Sequence, residues 1–331
     1  MHARPVDNRS SIPIGIGLVG VGRHGSRYIQ HLLHDVPGAA LTAMCRRSGG
    51  GTYPGTDIPV YDDYHAMIAD PRVDAVAVVT PPSLCYPICL AAVERGKAVL
   101  IEKPLALNGR EARAMVSAAE QRHVLLMTAQ TMRFDPTIML LRKQLATIKP
   151  LRFASLISHI EPKANPIASQ NGPVVGALLE LGVHLLDLIR FLTDEEVLEV
   201  QCRTSPAAGP ETHVHAQIRT SGGIRCGLEI ARIDGQRRGT AEWSGAGGTI
   251  KGDWVARTVT RTQPDGRSET TAVEPHPTIR TTLQAFVEAI RTGAAPPISG
   301  RDGCLAVEAA DACYRSAARD GAVVNCASDD D

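Results

Sequence analysis

Between residues 14 and 128, short unbroken apolar runs alternate with segments of helical periodicity. The runs at 14–19, 40–45, 73–79, 98–101 and 124–128 read as strands, and helical patterns lie near 23–33, 64–69, 86–95 and 110–121. Continuous apolar strands separated by helices predict a parallel sheet covered on both faces. That is a doubly wound α/β fold, whose ligands bind beyond the carboxyl ends of its strands. Past residue 130 the pattern changes. Strand-like alternation at 151–160, 197–203, 213–220, 224–230 and 239–243 is punctuated by glycine-rich turns such as Ser221-Gly222-Gly223. Consecutive strands with few helices between them predict a large, mostly antiparallel sheet with one open face, in an α+β domain. Helices are expected at 176–192, 279–292 and 302–319. The polar stretch 260–274 reads as a surface excursion. Two domains follow, 1–130 with a flexible tail over 1–12, and 131–331.

Composition narrows the partners. Lys+Arg and Asp+Glu number 35 each, so the chain has no basic excess to neutralise phosphates, and nucleic acid is not expected. Aromatic residues make up only 4%, too few for a base-stacking platform. No apolar run approaches the roughly 20 residues of a membrane span, and the amino-terminal segment lacks the apolar stretch of a signal peptide. The eight cysteines show no C-x-x-C spacing, so they read as buried free thiols of a cytoplasmic protein, not as a zinc or redox site.

Gly20-Val21-Gly22-Arg23-His24-Gly25 fits G-x-G-x-x-G between the first strand and the first helix. Gly20 allows the tight turn, Gly22 lets backbone approach a pyrophosphate, and Gly25 lets helix and strand pack closely. The helix start, with Arg23 and His24, offers N–H groups and a positive dipole end to phosphates. Where an NAD site carries an acidic residue for the ribose, the sequence reads Cys45-Arg46-Arg47-Ser48. Two guanidiniums would pair with a 2′-phosphate that a carboxylate would repel, so NADP(H) is favoured, with NAD(H) as the other option.

Two further strand ends are informative: Thr80-Pro81-Pro82 and Glu102-Lys103-Pro104. With the glycine turn, Gly96-Lys97-Ala98-Val99 and Arg133-Phe134-Asp135-Pro136, they come in an order and spacing that resembles the Gfo/Idh/MocA family of NAD(P)-dependent oxidoreductases. Glucose–fructose oxidoreductase and inositol dehydrogenase are members of it. The resemblance spans nearly the whole chain and implies an amino-terminal Rossmann domain. It also implies that Thr80, Pro81, Glu102 and Lys103 border the cofactor, that Lys103 sits by the nicotinamide and the reacting hydroxyl, and that Lys103-Pro104 is cis. A cation at such a strand end would stabilise charge on a substrate oxygen, whatever the family. Glu102 would hold the local geometry.

The segment 176–190 carries a narrow polar stripe. At about 100° per residue, His184 lies about 40° from Glu180 and Asp187 about 20° on its other side, and leucines occupy the flanks. So narrow a stripe on an apolar helix suggests a polar cavity. A satisfied core histidine is the plainer reading of His184. An i, i+4 metal site from Glu180 and His184 lacks a third ligand motif, so no metal is expected. The stripe also resembles the family's catalytic helix, which implies His184 as general acid/base, tuned by Asp187. Glu180 stands where the family usually has aspartate, which leaves its role open. Arg133 is either structural or a substrate contact. Gln130 and Asn165 are loop candidates for bonding substrate hydroxyls.

Together these readings point to an NADP-dependent oxidoreductase of a sugar, cyclitol or related polyol, with Lys103 polarising the oxygen and His184 moving the proton. The alternatives are reduction of a non-sugar carbonyl or oxidation of a trans-dihydrodiol on the same fold, and a non-catalytic NADP-sensing regulator. The resemblance further implies self-association to a dimer or tetramer through the open sheet face.

Overall fold

A computed structural model describes residues 12–48, 50–161, 175–206, 210–233, 235 and 237–326. The expected tail over 1–12 therefore lies outside the described residues except at Ile12.

The first compact unit comprises residues 1–105, 113–129 and 279–301. Its sheet contains β1 (Ile14–Val19), β2 (Ala39–Cys45), β3 (Val60–Tyr61), β4 (Ala75–Val78), β5 (Ala98–Glu102) and β6 (Leu126–Ala129). All pairings are parallel, in the order β3-β2-β1-β4-β5-β6. The order reverses beside β1, which makes the β1–β4 crevice the switch point where such sheets bind ligands. Connecting helices are α1 (Gly25–His34), α2 (Tyr64–Ala69), α3 (Cys85–Glu94) and α4 (Gly109–Gln121). β4 is buried throughout, as a central parallel strand must be. Helix α7 (Thr278–Thr292), far along the chain, falls almost wholly in this unit, where the Arg291 guanidinium donates to the Gly38 carbonyl at 3.2 Å.

The second unit comprises residues 106–112, 130–278 and 302–331. Helix α5 (Pro136–Leu145) precedes β7 (Leu151–Ile160), and α6 (Val183–Thr193) precedes β8 (Val197–Ser205). β9 (His213–Thr220), β10 (Arg225–Arg232), β11 (Arg238–Gly245), β12 (Gly248–Asp253), β13 (Thr258–Thr262), β14 (Ser268–Ala272), α8 (Gly300–Ala317) and β15 (Val324–Asn325) follow. The nine strands run β14-β13-β12-β11-β7-β10-β9-β8-β15, and every pair is antiparallel except β7 with β10. One face packs Leu156, Val214, Leu228, Ala241 and Trp243 against leucines of α5 and α6 and the buried side of α8. The other alternates outward, with Phe153 54% exposed in mid-sheet.

The stretch 260–274 is not an excursion. Its ends belong to a hairpin, β13–β14, that extends the sheet. β14 is exposed at every residue, so it lacks the apolar alternation by which a strand is recognised. Its threonines instead form cross-strand pairs, Thr260 with Thr270 at 2.8 Å and Thr262 with Ser268 at 2.8 Å. Gly248 and Gly252 hid β12 in the same way.

Candidate active site in two parts

The first part belongs to the first unit. β1 ends at Val19, and the backbone turns at Gly20 with φ +102°, where a Cβ would lie 2.2 Å from the Val79 carbonyl oxygen. At Gly25 a Cβ would lie 1.9 Å from the Gly20 carbonyl oxygen. Those two glycines are demanded by the chain's own packing. Gly22 is different, because a Cβ there would meet nothing within 4 Å. Its missing side chain keeps open a space that the protein does not fill, ahead of the first N–H groups of α1. A dinucleotide pyrophosphate fits that cradle.

Arg46, Arg47 and Ser48 are exposed just past β2. The Arg46 N–H donates to the Tyr61 carbonyl at 3.0 Å, which sets the end of β2 beside the end of β3 and its Asp62-Asp63. Burial, then the charges of Asp63 and Asp62, push the Cys45 thiol up to about 11. Asp62 and Asp63 follow β3, and Asp63 accepts the His65 N–H at 2.9 Å as the cap of α2. Sequence reading missed them because they follow Cys45 by more than 15 positions, across a loop.

Thr80 and Pro81 close β4, with Thr80 Oγ1 3.9 Å from the buried Cys85 Sγ. Glu102, at the end of β5, is 8% exposed. Its Oε1 lies 2.7 Å from His24 Nε2 and accepts the Tyr28 hydroxyl at 2.5 Å, and its Oε2 accepts the Lys103 N–H at 3.1 Å. Burial pushes the Glu102 carboxyl up. The hydrogen bond and charge of His24, the charge of Lys103 and the Tyr28 hydroxyl together hold it below the ordinary glutamate range. Burial, then Glu102, raises the Tyr28 phenol well above its usual value. Lys103 is half-buried, and Lys103-Pro104 is cis. His24 and Glu102, both expected at the cofactor, are therefore in direct contact. Tyr28 joins them from one helical turn beyond His24.

The second part belongs to the second unit. The polar segment does not begin as a regular α-helix: Leu178–Gly182 is a π-helical turn, and the Val183 N–H reaches the Leu178 carbonyl. Wider winding there shifts Glu180 from the angle that a uniform 100° step assigns it. Glu180 accepts two hydrogen bonds from the Arg232 guanidinium of β10, at 3.0 and 2.6 Å. Glu211 caps the start of the segment, accepting the Leu178 N–H at 2.8 Å and the Tyr314 hydroxyl at 3.0 Å. His184 Nδ1 lies 3.1 Å from Oε1 of the buried Gln130. An amide oxygen only accepts, so Nδ1 is the donor in this contact.

Asp187 is 1% exposed and does not contribute to an open stripe. Arg133 grips both its oxygens, Nε at 2.8 Å and Nη2 at 2.6 Å, and also reaches Asp302 at 3.0 Å. Arg190 extends the chain to Asp302 at 3.2 Å and Glu196 at 2.6 Å. Burial, with Asp302 adding to it, raises the Asp187 carboxyl above its usual value against the pull of Arg133. Burial pulls the Arg133 guanidinium down, but Asp187 and Asp302 more than offset it. The fork occupies both carboxylate oxygens, so the proton of this pair stays on the arginine. The stripe is thus three residues with three separate partners: Arg232, Gln130 and Arg133. Arg232 and Asp302 lie 52 and 112 or more positions from their partners, beyond any local pattern. Asn165 lies outside the described residues.

Among the described residues no group of three or more His, Cys, Asp and Glu could hold a metal ion. No helix there is long and apolar enough to cross a membrane. All eight cysteines are free thiols.

Comparison with known proteins gives the same picture at the level of families. A model described as an oxidoreductase family with an NAD-binding Rossmann fold matches residues 14–130, and the GFO/IDH/MocA carboxy-terminal domain matches 153–251. The inositol 2-dehydrogenase of Rubrobacter xylanophilus is 28% identical over 92% of this chain and 90% of its own. The D-apiose dehydrogenase of Paraburkholderia graminis is 25% identical over 93% and 88%. The crystal structure of Lactobacillus casei scyllo-inositol dehydrogenase with NAD(H) and scyllo-inositol superposes with a TM-score of 0.78 at 22% identity, covering 96% of this chain and all of that one. The chain belongs to the GFO/IDH/MocA family of oxidoreductases, with an NAD-binding Rossmann fold as its amino-terminal part.

Proposed function

We propose that the protein is a nicotinamide-dependent dehydrogenase or reductase acting on a CH–OH group of a cyclitol or sugar. The observation that carries the reading is the glycine turn at the β1–β4 switch point, where Gly20 and Gly25 are packed against backbone and Gly22 between them is open. Relatives named for inositol and D-apiose supply the substrate class. The nicotinamide, when bound, supplies the partner for hydride exchange with the substrate carbon. Lys103 holds a positive charge toward the reacting oxygen and stabilises alkoxide character there. His184, oriented by Gln130, takes the hydroxyl proton on Nε2 in the oxidising direction and returns it in reduction. Glu180 is held for a substrate contact by Arg232. Asp187 and Arg133 act as positioning residues that fix the helix carrying His184.

The test is kinetic. Lys103→Ala and His184→Ala should each lower kcat by about 10²- to 10⁴-fold, with dinucleotide Kd changed much less. Full turnover in Lys103→Ala would end this mechanism.

We favour NADP(H) within this reading, because Arg46 and Arg47 offer two guanidiniums to a 2′-phosphate. Asp62 and Asp63 oppose them. Fluorescence titration decides: NADPH should bind more tightly than NADH, and Arg46→Ala/Arg47→Ala should remove the difference. Tighter NADH binding in the unmodified protein would replace this assignment with NAD.

We also expect a second copy to cover the open sheet face, where Phe153 and Val323 are more than half exposed along one groove. Light scattering should give a dimer or tetramer, and Phe153→Glu should weaken it. The free thiols suit a reducing compartment such as the cytoplasm.

A further inference from the structure

Glu102 joins two stretches of chain that lie 74 to 78 positions apart. One is the glycine turn with the first turn of α1, and the other is the strand end that carries Lys103. Its two oxygens divide the work. Oε1 takes both donors from the α1 side, His24 Nε2 and the Tyr28 hydroxyl, and Oε2 takes the backbone N–H of Lys103. We propose that His24 and Tyr28 are positioning residues that act through Glu102, so that the setting of Lys103 is tied to the conformation of the glycine turn.

The two limbs of this clasp differ. Tyr28 is fully buried, so water cannot replace its hydroxyl, and loss of that donor leaves Glu102 under-bonded in a dry site. The His24 side chain is 49% exposed, so water competes for the same oxygen. His24 also touches the Tyr28 ring edge-on, centroids 5.7 Å apart, which couples the limbs sterically. Because His24 lies inside the glycine turn itself, anything that moves the turn moves the donor. The groups facing the carboxylate are His24, Tyr28 and Lys103. A turn settled around a pyrophosphate would fix His24, and Glu102 would carry that order to the Lys103 backbone.

The inference rests on the reading of Lys103 as the residue that polarises substrate, but it can fail separately. Hydrogen exchange at the Lys103 amide, measured by NMR on the full chain without dinucleotide, reports the clasp independently of catalysis. Tyr28→Phe should accelerate that exchange by about tenfold or more while amides within β4 keep their rates. In the same variant kcat should fall by about tenfold, with a smaller rise in dinucleotide Kd. His24→Ala should raise Kd and speed Lys103 exchange more modestly, and His24→Gln, which restores a donor, should recover both. The exposed position of His24 keeps its variants foldable if Tyr28→Phe is not. Unchanged Lys103 exchange in a folded Tyr28→Phe, or in His24→Ala if Tyr28→Phe does not fold, would overturn the inference. Should Lys103→Ala instead retain full turnover, the mechanism falls while the exchange result still stands.

Discussion

Each unit buries one carboxylate next to a residue proposed for the chemistry, and the two are held by opposite means. Glu102 is bonded by a histidine, a tyrosine and a backbone amide, and its carboxyl is held below the usual range. Asp187 is gripped by one guanidinium on both oxygens, lies deeper, has Asp302 nearby, and is raised. In each case burial opposes the charge; the sign of the outcome depends on what else surrounds it. In the proposed clasp, distributed donors tie Glu102 to the glycine turn. The arginine fork at Asp187 is part of a chain of ion pairs that runs through Asp302 and Arg190 to Glu196. A buried carboxylate is thus bonded by several separate donors in one region and forked by a single arginine in the other.

The sharpest way to break this contrast is to remove the forked carboxylate. Asp187→Ala leaves Arg133 buried with only Asp302 and should cost about 3–5 kcal/mol of stability, read by denaturant unfolding. Glu102→Gln should cost less, about 1.5–3 kcal/mol, because one side-chain oxygen still accepts while the charge is lost. A Glu102→Gln loss as large as that of Asp187→Ala would erase the distinction.

Gly22→Ala should leave the melting temperature within about 2 °C of the parent, since its Cβ meets nothing, yet weaken dinucleotide binding by about 10- to 100-fold. Gly25→Ala should fail in the opposite order, losing stability first. Calorimetry and fluorescence titration separate the two.

The smallest effect is on pH dependence. Glu102, lowered from about 4.5, contributes stability that is present above that value and lost as pH falls through its folded value. Asp187, raised from 3.8, gives the reverse: burial makes its ionisation costlier in the folded chain than in the unfolded one, so stability falls as pH rises from 3.8 through the folded value, above which the ionised pair with Arg133 holds. Thermal unfolding followed from pH 3 to pH 7 should show a shallower acid loss in Glu102→Gln and a steeper one in Asp187→Asn. Parallel profiles would show that neither carboxylate differs between folded and unfolded chains.

The parallel sheet, the glycine turn and the strand ends at Thr80 and Glu102 were legible in sequence because each is a local pattern: an apolar run, a glycine spacing, a proline. Tyr28 could have been found as well, since it follows His24 by four positions on one helix face. The hairpin β13–β14 was hidden by its polar composition. What no local pattern carries is the partner of each charged residue. Arg133 could be read as structural or as a substrate contact, and only its distance to Asp187 and Asp302 shows what it holds. The glutamate at position 180 could be placed on a helix face only by assuming a uniform winding, which Leu178–Gly182 does not have.

That π-helical turn has one more consequence. The π turn opens this helix, preceded by Ala177 alone, and Val183–Thr193 continue it as regular α-helix. Residues on the turn and residues after it are therefore held on different terms. His184 and Asp187 ride the regular helix and keep their mutual spacing, whereas Glu180 sits on the loosened turn and leans on Arg232 from another strand. Substitution at Glu180 acts first on the Arg232 contact, whereas His184 has its own contact with Gln130. On the proposed reading, a change at Glu180 would alter the substrate contact, while the residue proposed to carry the proton keeps its own partner, Gln130.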